Sequence, residues 1–129
     1  MATSTLTLYK DNTTTVTFNL LSTAELFAKW IVSGRALSTP FAAFQKIKLN
    51  KGVSNDESYF TVSRTEANVA TGKLATFLCE VRVSIPKDQS VLTPTVQAEV
   101  ISLAASALIN AAPTGASTSR ATIIEGRIL

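Results

Sequence analysis

The chain has 129 residues, of which 46% are hydrophobic and 16% charged, so it has enough apolar material for a core and too little charge for a disordered chain. It contains no histidine and a single cysteine, which excludes histidine-based acid–base catalysis, zinc sites built from cysteine and histidine, and a disulfide within the chain. The formal net charge is +3, and residues 43–90, with seven basic and five acidic side chains, carry most of it. This modest positive balance permits nucleic-acid binding without establishing it.

No targeting or membrane-spanning segment is expected. Residues 1–5 contain neither the basic region nor the apolar region of a secretory signal. The longest apolar stretch, at about 96–112, is interrupted by polar side chains and is too short for a membrane span. We therefore expect a soluble protein without a membrane partner.

Residues 1–20 predict a β-hairpin. Polar and apolar side chains alternate over 5–9 and again over 15–20, and turn-forming residues separate the two stretches. The next stretch, 27–32, predicts a third strand, although the residues just before it could equally open a helical turn. We interpret Trp30, in the middle of this stretch, as a packing residue.

Three longer strands follow, over about 44–51, 59–65 and 74–85, and complete an antiparallel meander sheet over 27–86. Alternation gives each of these strands one apolar face and one polar face. The polar positions are Lys46, Lys48, Asn50, Tyr59, Thr61, Ser63, Glu80 and Arg82. Cys79 lies on the apolar face of the last strand and is interpreted as a small core residue.

A helix is predicted over 93–112, with Thr93 as its N-cap and Pro94 at its first position. Apolar residues recur at helical spacing at Val96, Val100, Leu103, Ala104, Ala107 and Leu108. With their apolar neighbours they cover a wider arc than one sheet face needs, so we expect the helix to pack partly on a second copy in an obligate dimer. Alternatively, the tail at 113–129 folds back over this arc. The predicted fold class is α+β, in one domain over 1–129.

This order of elements in 129 residues resembles the coat proteins of the small single-stranded RNA bacteriophages, the levivirus-like family. Residues 28–33 are similar to the tryptophan-containing third strand of that family. Residues 77–86 are similar to its last long strand with the terminating proline, and residues 95–110 to the long helix that follows. The loop at 66–73 is short for the family, and the tail lacks a clear second helix.

The resemblance implies a specific assembly. Two chains pair edge to edge into one continuous ten-stranded sheet, and helices from each chain clasp the partner, so the apolar helix positions become the dimer interface. The polar sheet face lines an icosahedral shell and binds genomic RNA, so the eight polar positions become the RNA-binding residues. Lysine and arginine would neutralise phosphates, and Tyr59 would stack on an unpaired base. Glu80 would contribute by accepting from a base amino group or by orienting Arg82.

The leading hypothesis is a structural coat protein that dimerises, assembles into a shell and packages genomic single-stranded RNA, with binding of an RNA stem-loop as a translational repressor as a further expectation. The expected location is the virion, assembled in the bacterial host cytoplasm. The alternative is a dimeric RNA-binding repressor that does not assemble. An enzyme is not expected, because nine carboxylates show no mechanistic spacing and five glycines form no phosphate-binding loop. No metal or cofactor is expected.

Overall fold

One helix follows six strands in the computed structural model, which describes residues 2–9, 13–52, 54–90 and 92–106. The elements are β1 Thr5–Tyr9, β2 Thr15–Ala24, β3 Phe27–Ile31, β4 Phe41–Lys48, β5 Asn55–Ala67, β6 Leu74–Pro86 and α1 Pro94–Ser106. The strands belong to one compact unit and α1 belongs to a second. The predicted α+β class, with an N-terminal hairpin, an antiparallel meander and a C-terminal helix, is confirmed.

The six strands lie in one sheet in the order of the sequence, each antiparallel to its neighbours. The hairpin belongs to this sheet because β2 continues into a ladder with β3, across a register shift between Leu20 and Ser22. The ten-stranded sheet that the resemblance implies for a dimer stays a prediction, since the structure describes one chain.

The segment around Trp30 is a strand and not a helical turn. Glu25 and Leu26 form the turn that leads into β3. Alternate residues of β3 are buried, since Ala28 is 7% exposed and Trp30 is 4% exposed. A period of two in burial is the signature of a strand with one face on a core, and it decides the question that the sequence left open.

The core lies on one face of the sheet and is built around the cluster Phe18, Ala28, Trp30 and Ala43. The ring of Phe18 meets that of Phe41 edge to face, with centroids 5.1 Å apart. The indole N–H of Trp30 donates to the carbonyl oxygen of Thr3 at 2.8 Å, which ties the N-terminal segment to the core. The interpretation of Trp30 as a packing residue is confirmed.

The turn between β4 and β5 starts earlier than the sequence predicts. β4 ends at Lys48, so Asn50 lies outside the strand. The backbone N–H of Asn50 donates to Oδ1 of Asp56 at 2.9 Å, and its side-chain amide donates to the carbonyl oxygen of Asn55 at 3.2 Å. The placement of Asn50 within the strand is therefore wrong, because these two hydrogen bonds use it to close the turn.

β5 and β6 pair over their whole length and are joined by the six residues 68–73. Oδ1 of Asn68 accepts from the backbone N–H groups of Ala70 and Thr71, at 2.9 and 3.0 Å. Gly72 has a φ of 68°, a left-handed conformation that favours glycine. The loop is thus a compact turn held by its own hydrogen bonds.

Among the described strands, β6 is an edge strand of thirteen residues with a neighbour on one side only. Large apolar side chains on it are exposed, at 66% for Phe77, 55% for Leu78 and 43% for Val81. Cys79 is exposed as well, so its interpretation as a core residue is wrong. Pro86 is the last residue of the strand and not the first residue after it.

α1 begins at Pro94, as predicted. The backbone N–H of Gln97 donates to the carbonyl oxygen of Thr93 at 3.0 Å, and its side-chain amide donates to that of Leu92 at 2.6 Å. The described part of the helix ends at Ser106. The remainder of the predicted helix, with Ala107 and Leu108, and the tail at 113–129 lie outside the described residues.

The predicted interface positions of α1 that the structure describes are all exposed in the single chain. The exposed fractions are 39% for Val96, 60% for Val100 and 64% for Leu103, and Ala104 is also exposed. Within the described residues, no helix has both the length and the apolar character needed to cross a membrane.

Candidate nucleic-acid interface

The strand register gathers the predicted polar residues on one face of the sheet. Lys46 of β4 lies opposite Tyr59 of β5, which lies opposite Arg82 of β6. Directly opposed residues of antiparallel strands point to the same side, so these three side chains form one row. We call this side the polar face, and its polar and aromatic members include Phe27, Lys29, Phe44, Lys46, Lys48, Glu57, Tyr59, Thr61, Ser63, Glu80, Arg82 and Ser84.

Two further rows flank the first. One row consists of Lys48, Glu57 and Ser84, and the other consists of Phe44, Thr61 and Glu80. Seven of the eight predicted RNA-binding residues thus lie on these strands, and Asn50 lies in the turn after β4, with a side-chain hydrogen bond to Glu57. Neighbouring rows are two residues apart along each strand, or about 7 Å, which is close to the spacing of successive phosphates along an extended nucleic-acid strand.

Glu57 is the centre of the charged network on this face. It is only 8% exposed, although it is an ionisable residue. Its carboxylate accepts a hydrogen bond from the guanidinium of Arg82 and another from the hydroxyl of Tyr59 at 3.0 Å. The ammonium of Lys48 lies 3.7 Å from Oε2 of the same carboxylate. Two of the predicted phosphate ligands therefore already have an internal counter-ion.

The network shifts the pKa values of Glu57 and Tyr59 in opposite directions. The hydrogen bond from Tyr59 lowers the pKa of Glu57, with Arg82 acting in the same direction and burial opposing it. The same hydrogen bond raises the pKa of the Tyr59 phenol, because ionisation would place a second negative charge beside the carboxylate. At neutral pH, Glu57 is ionised and Tyr59 is a neutral donor.

Arg82 is oriented by Glu57 and not by Glu80. Glu80 instead accepts a hydrogen bond from the hydroxyl of Thr61 at 3.1 Å. Thr61 is fully buried and its hydroxyl is engaged in that bond, so it lies beneath the surface of the polar face. The guanidinium of Arg82 lies 5.9 Å from the centroid of the Tyr59 ring, within the range of a cation–π contact.

The polar face also carries residues that the sequence reasoning missed. Lys29 lies opposite Phe44, and Phe27 lies opposite Lys46, so two cations and two aromatic rings alternate across β3 and β4. The two phenylalanine rings are 6.2 Å apart. Among the described residues, no ion pair involves Lys29 or Lys46. Alternation along the predicted strand at 27–32 places Phe27 and Lys29 on one face, and this is the sequence signal for these residues.

The arrangement suits recognition of a polyanion with unpaired bases. Cations neutralise phosphates, and aromatic rings accept stacked bases of any sequence. The described residues contain no group of three or more side chains suited to hold a metal ion. A cavity of about 670 Å³ lies beside Trp30 at the β2–β3 turn, and Glu25 is the one titratable residue among its described lining residues. That cavity therefore lacks paired groups for acid–base chemistry.

Comparison of the sequence finds no matching family and no matching curated protein. Comparison of the structure finds close relatives in fold. The coat protein of bacteriophage EMS014 has a TM-score of 0.73 at 13% identity, over 100% of this chain and 99% of that chain. The virus-like particle of bacteriophage AVE019 has a TM-score of 0.75 at 9% identity, over 100% of both chains. The virus-like particle of Beihai levi-like virus 21 has a TM-score of 0.73 at 10% identity, over 100% of this chain and 98% of that chain.

The chain has the coat-protein fold of the levi-like single-stranded RNA phages. The resemblance that the order of elements indicates is thereby confirmed at the level of the fold. The three matching proteins are coats and virus-like particles, which are structural proteins and not enzymes. At identities of 9–13% the coat-protein fold is shared while most side chains are not.

Proposed function

We propose that this chain is the coat protein of a single-stranded RNA phage, which dimerises, assembles into an icosahedral shell and packages genomic RNA. The observation that carries the proposal is the match of the whole chain, end to end, to coat proteins and virus-like particles. The proposed location is the virion, with assembly in the cytoplasm of the bacterial host.

Dimerisation is supported by the free edge of β6. A long edge strand with exposed apolar side chains is prone to pair with another strand. Phe77, Leu78 and Val81 supply these side chains, and Val96 and Val100 add an exposed apolar surface on α1. We propose that two copies pair through β6 into one continuous sheet and that α1 packs on the partner. The predicted interface comprises Val96, Val100, Leu103, Ala104, Ala107 and Leu108.

RNA packaging is supported by the composition of the polar face. The face carries four cations against two carboxylates, together with Phe27, Phe44 and Tyr59. We propose that this face lines the interior of the shell and binds RNA. The proposed contacts predicted from the sequence are Lys46, Lys48, Asn50, Tyr59, Thr61, Ser63, Glu80 and Arg82, to which the register adds Lys29. Binding of one RNA stem-loop as a translational repressor is part of the same proposal.

The experiment that tests the proposal is expression of the full chain alone in a bacterium. The product is separated on a sizing column, the excluded peak is imaged by negative-stain electron microscopy, and absorbance is read at 260 and 280 nm. Uniform shells that carry nuclease-protected RNA are the expected result. A dimer that binds RNA without forming shells would favour the non-assembling repressor. A monomer free of nucleic acid would contradict both.

A further inference from the structure

We infer that Glu57 is a positioning residue that divides the polar face into two kinds of RNA contact. It holds Tyr59 and Arg82 together as a stacking surface for an unpaired base, and it leaves the phosphates to Lys29 and Lys46. This inference rests on the proposed function, since it assigns roles within the proposed RNA interface.

The carboxylate of Glu57 is held in a fixed position. Glu57 is 8% exposed and both of its oxygens are engaged, Oε1 by Arg82 and Oε2 by Tyr59 and Lys48. A buried carboxylate in such a network is held in one orientation and, in turn, holds its partners. The Tyr59 hydroxyl is fixed at 3.0 Å, which restrains the ring to which it is attached.

The guanidinium that Glu57 holds is accessible to solvent. The side chain of Arg82 is 62% exposed even though it bonds to Glu57, so the guanidinium is accessible from outside. It lies 5.9 Å from the Tyr59 ring centroid. Guanidinium planes and tyrosine rings are surfaces on which splayed-out RNA bases stack. A pair held by one carboxylate is ordered before RNA arrives, which lowers the entropy lost on binding.

The cations of the polar face differ in whether they have an internal counter-ion. Lys48 and Arg82 share the carboxylate of Glu57. A phosphate that binds either cation must therefore compete with Glu57 for it. Lys29 and Lys46 have no such partner among the described residues and lie on neighbouring strands beside Phe44 and Phe27. A cation without an internal partner releases its full share of counter-ions when it binds a phosphate. The salt dependence of RNA binding should therefore come from Lys29 and Lys46.

Glu66 provides the matched control. It lies on β5, as Glu57 does, but an odd number of residues along the strand and therefore on the opposite face of the sheet. Its carboxylate is paired with the guanidinium groups of Arg35 and Arg64. Glu66→Gln thus removes the same formal charge as Glu57→Gln and also releases paired cations, but away from the polar face.

The test measures binding of a fluorescein-labelled single-stranded RNA to the full chain by anisotropy at several salt concentrations. Each phosphate contact contributes about 0.7 to the slope of log K against log salt for a single strand. Glu57→Gln is expected to steepen the slope by about 0.7 to 1.4, because one or both released cations become phosphate ligands. Glu66→Gln is expected to leave the slope unchanged. Equal changes in the two variants would overturn the inference.

A second pair of variants keeps the test decisive if Glu57→Gln fails to fold. Lys29→Ala with Lys46→Ala is expected to flatten the slope by about 1.4, whereas Lys48→Ala with Arg82→Ala is expected to change it by less than half as much. Equal losses in the two double variants would overturn the assignment. Absence of RNA binding by the unaltered chain would instead contradict the proposed function itself, so the two failures are distinguishable.

Discussion

At the scale of single residues, the polar face is organised by its one buried carboxylate. Glu57 receives hydrogen bonds from Arg82 and Tyr59 and lies 3.7 Å from the ammonium of Lys48. Lone carboxylates are costly to bury, whereas paired and hydrogen-bonded ones are tolerated. The three partners therefore depend on Glu57 for their positions, and Glu57 depends on them for its ionised state.

The first prediction concerns acid stability. Hydrogen bonds lower the pKa of Glu57, mainly through Tyr59, and that of Glu66, mainly through Arg64. A carboxyl whose pKa is lower in the folded state stabilises the fold above its unfolded pKa, and this contribution is lost as the pH falls through the folded value. Stability is therefore expected to decline below about pH 4.3, the ordinary pKa of glutamate.

Urea unfolding at several pH values checks this expectation, with Glu57→Gln as the variant. The variant lacks the titrating group, so its free energy of unfolding should decline less between about pH 5 and pH 3 than that of the unaltered chain. Glu80→Gln serves as the matched control on the same face. A decline as steep in Glu57→Gln as in the unaltered chain would contradict the role given to this carboxylate.

The second prediction concerns Trp30. Trp30→Phe keeps an aromatic ring in the core but removes the hydrogen bond from the indole N–H to the carbonyl oxygen of Thr3. The expected loss is about 1–2 kcal/mol from the free energy of unfolding, against about 3–5 kcal/mol for Trp30→Ala. Far-UV circular dichroism in urea is the measurement, since Trp30 is the one tryptophan of the chain. Equal stability of Trp30→Phe and the unaltered chain would show that the hydrogen bond contributes nothing.

At the scale of elements, β6 and α1 each expose more large apolar side chains than any other strand that the structure describes. β3 buries Ala28 and Trp30, whereas Phe77 on β6 and Val100 on α1 are mostly exposed. Exposed apolar side chains that are concentrated on two elements are typical of a surface that a partner covers. This contrast is the reason for locating the proposed dimer contact on these two elements.

The third prediction tests this contact. Val100→Asp is expected to prevent dimerisation, because it would place an unpaired charge in an apolar interface. Ser102→Asp introduces the same charge on the opposite side of α1, where the hydroxyl of Ser102 bonds to the carbonyl oxygen of Ala98, and should leave the dimer intact. Analytical ultracentrifugation distinguishes the two states. A soluble dimer of Val100→Asp would remove α1 from the interface.

At the scale of the whole molecule, the fold is retained while the sequence is not. The chain matches the EMS014 coat protein over its full length with a TM-score of 0.73, yet shares 13% of its residues. Volume, alternation and element order are enough to keep a sheet and a helix in place, because cores tolerate many substitutions that preserve pattern. The chemistry of the polar face is free to differ between such proteins.

The fourth prediction follows from obligate dimerisation. If folding and association are coupled, dilution destabilises the native state by mass action, by about 1.4 kcal/mol for each tenfold decrease in concentration. The melting temperature of the unassembled dimer should therefore fall on dilution, whereas that of Val100→Asp, if it folds, should not. Calorimetry at two concentrations checks this. A melting temperature independent of concentration would indicate a chain that is stable as a monomer.

Much of the fold follows from local patterns. Alternation predicted β1, β5 and β6 and their faces, and the proline after a threonine predicted where α1 begins. Local patterns predict less well where a strand ends. Asn50 was assigned to a strand because alternation continues through it, but its hydrogen bonds to Asn55 and Asp56 end the strand at Lys48.

The sequence by itself determined the α+β class, the order of the elements and the two-faced character of the strands, because side-chain periodicity is a local property of the chain. Only the tertiary structure decided that the hairpin joins the sheet through β3, that Glu57 and not Glu80 holds Arg82, and that Lys29 shares a face with Lys46. It also decided that Cys79 is exposed, since β6 lies at an edge. These facts depend on the register between strands far apart in sequence. Periodicity within one strand fixes which of its side chains share a face, but not which residue of the neighbouring strand lies opposite each of them.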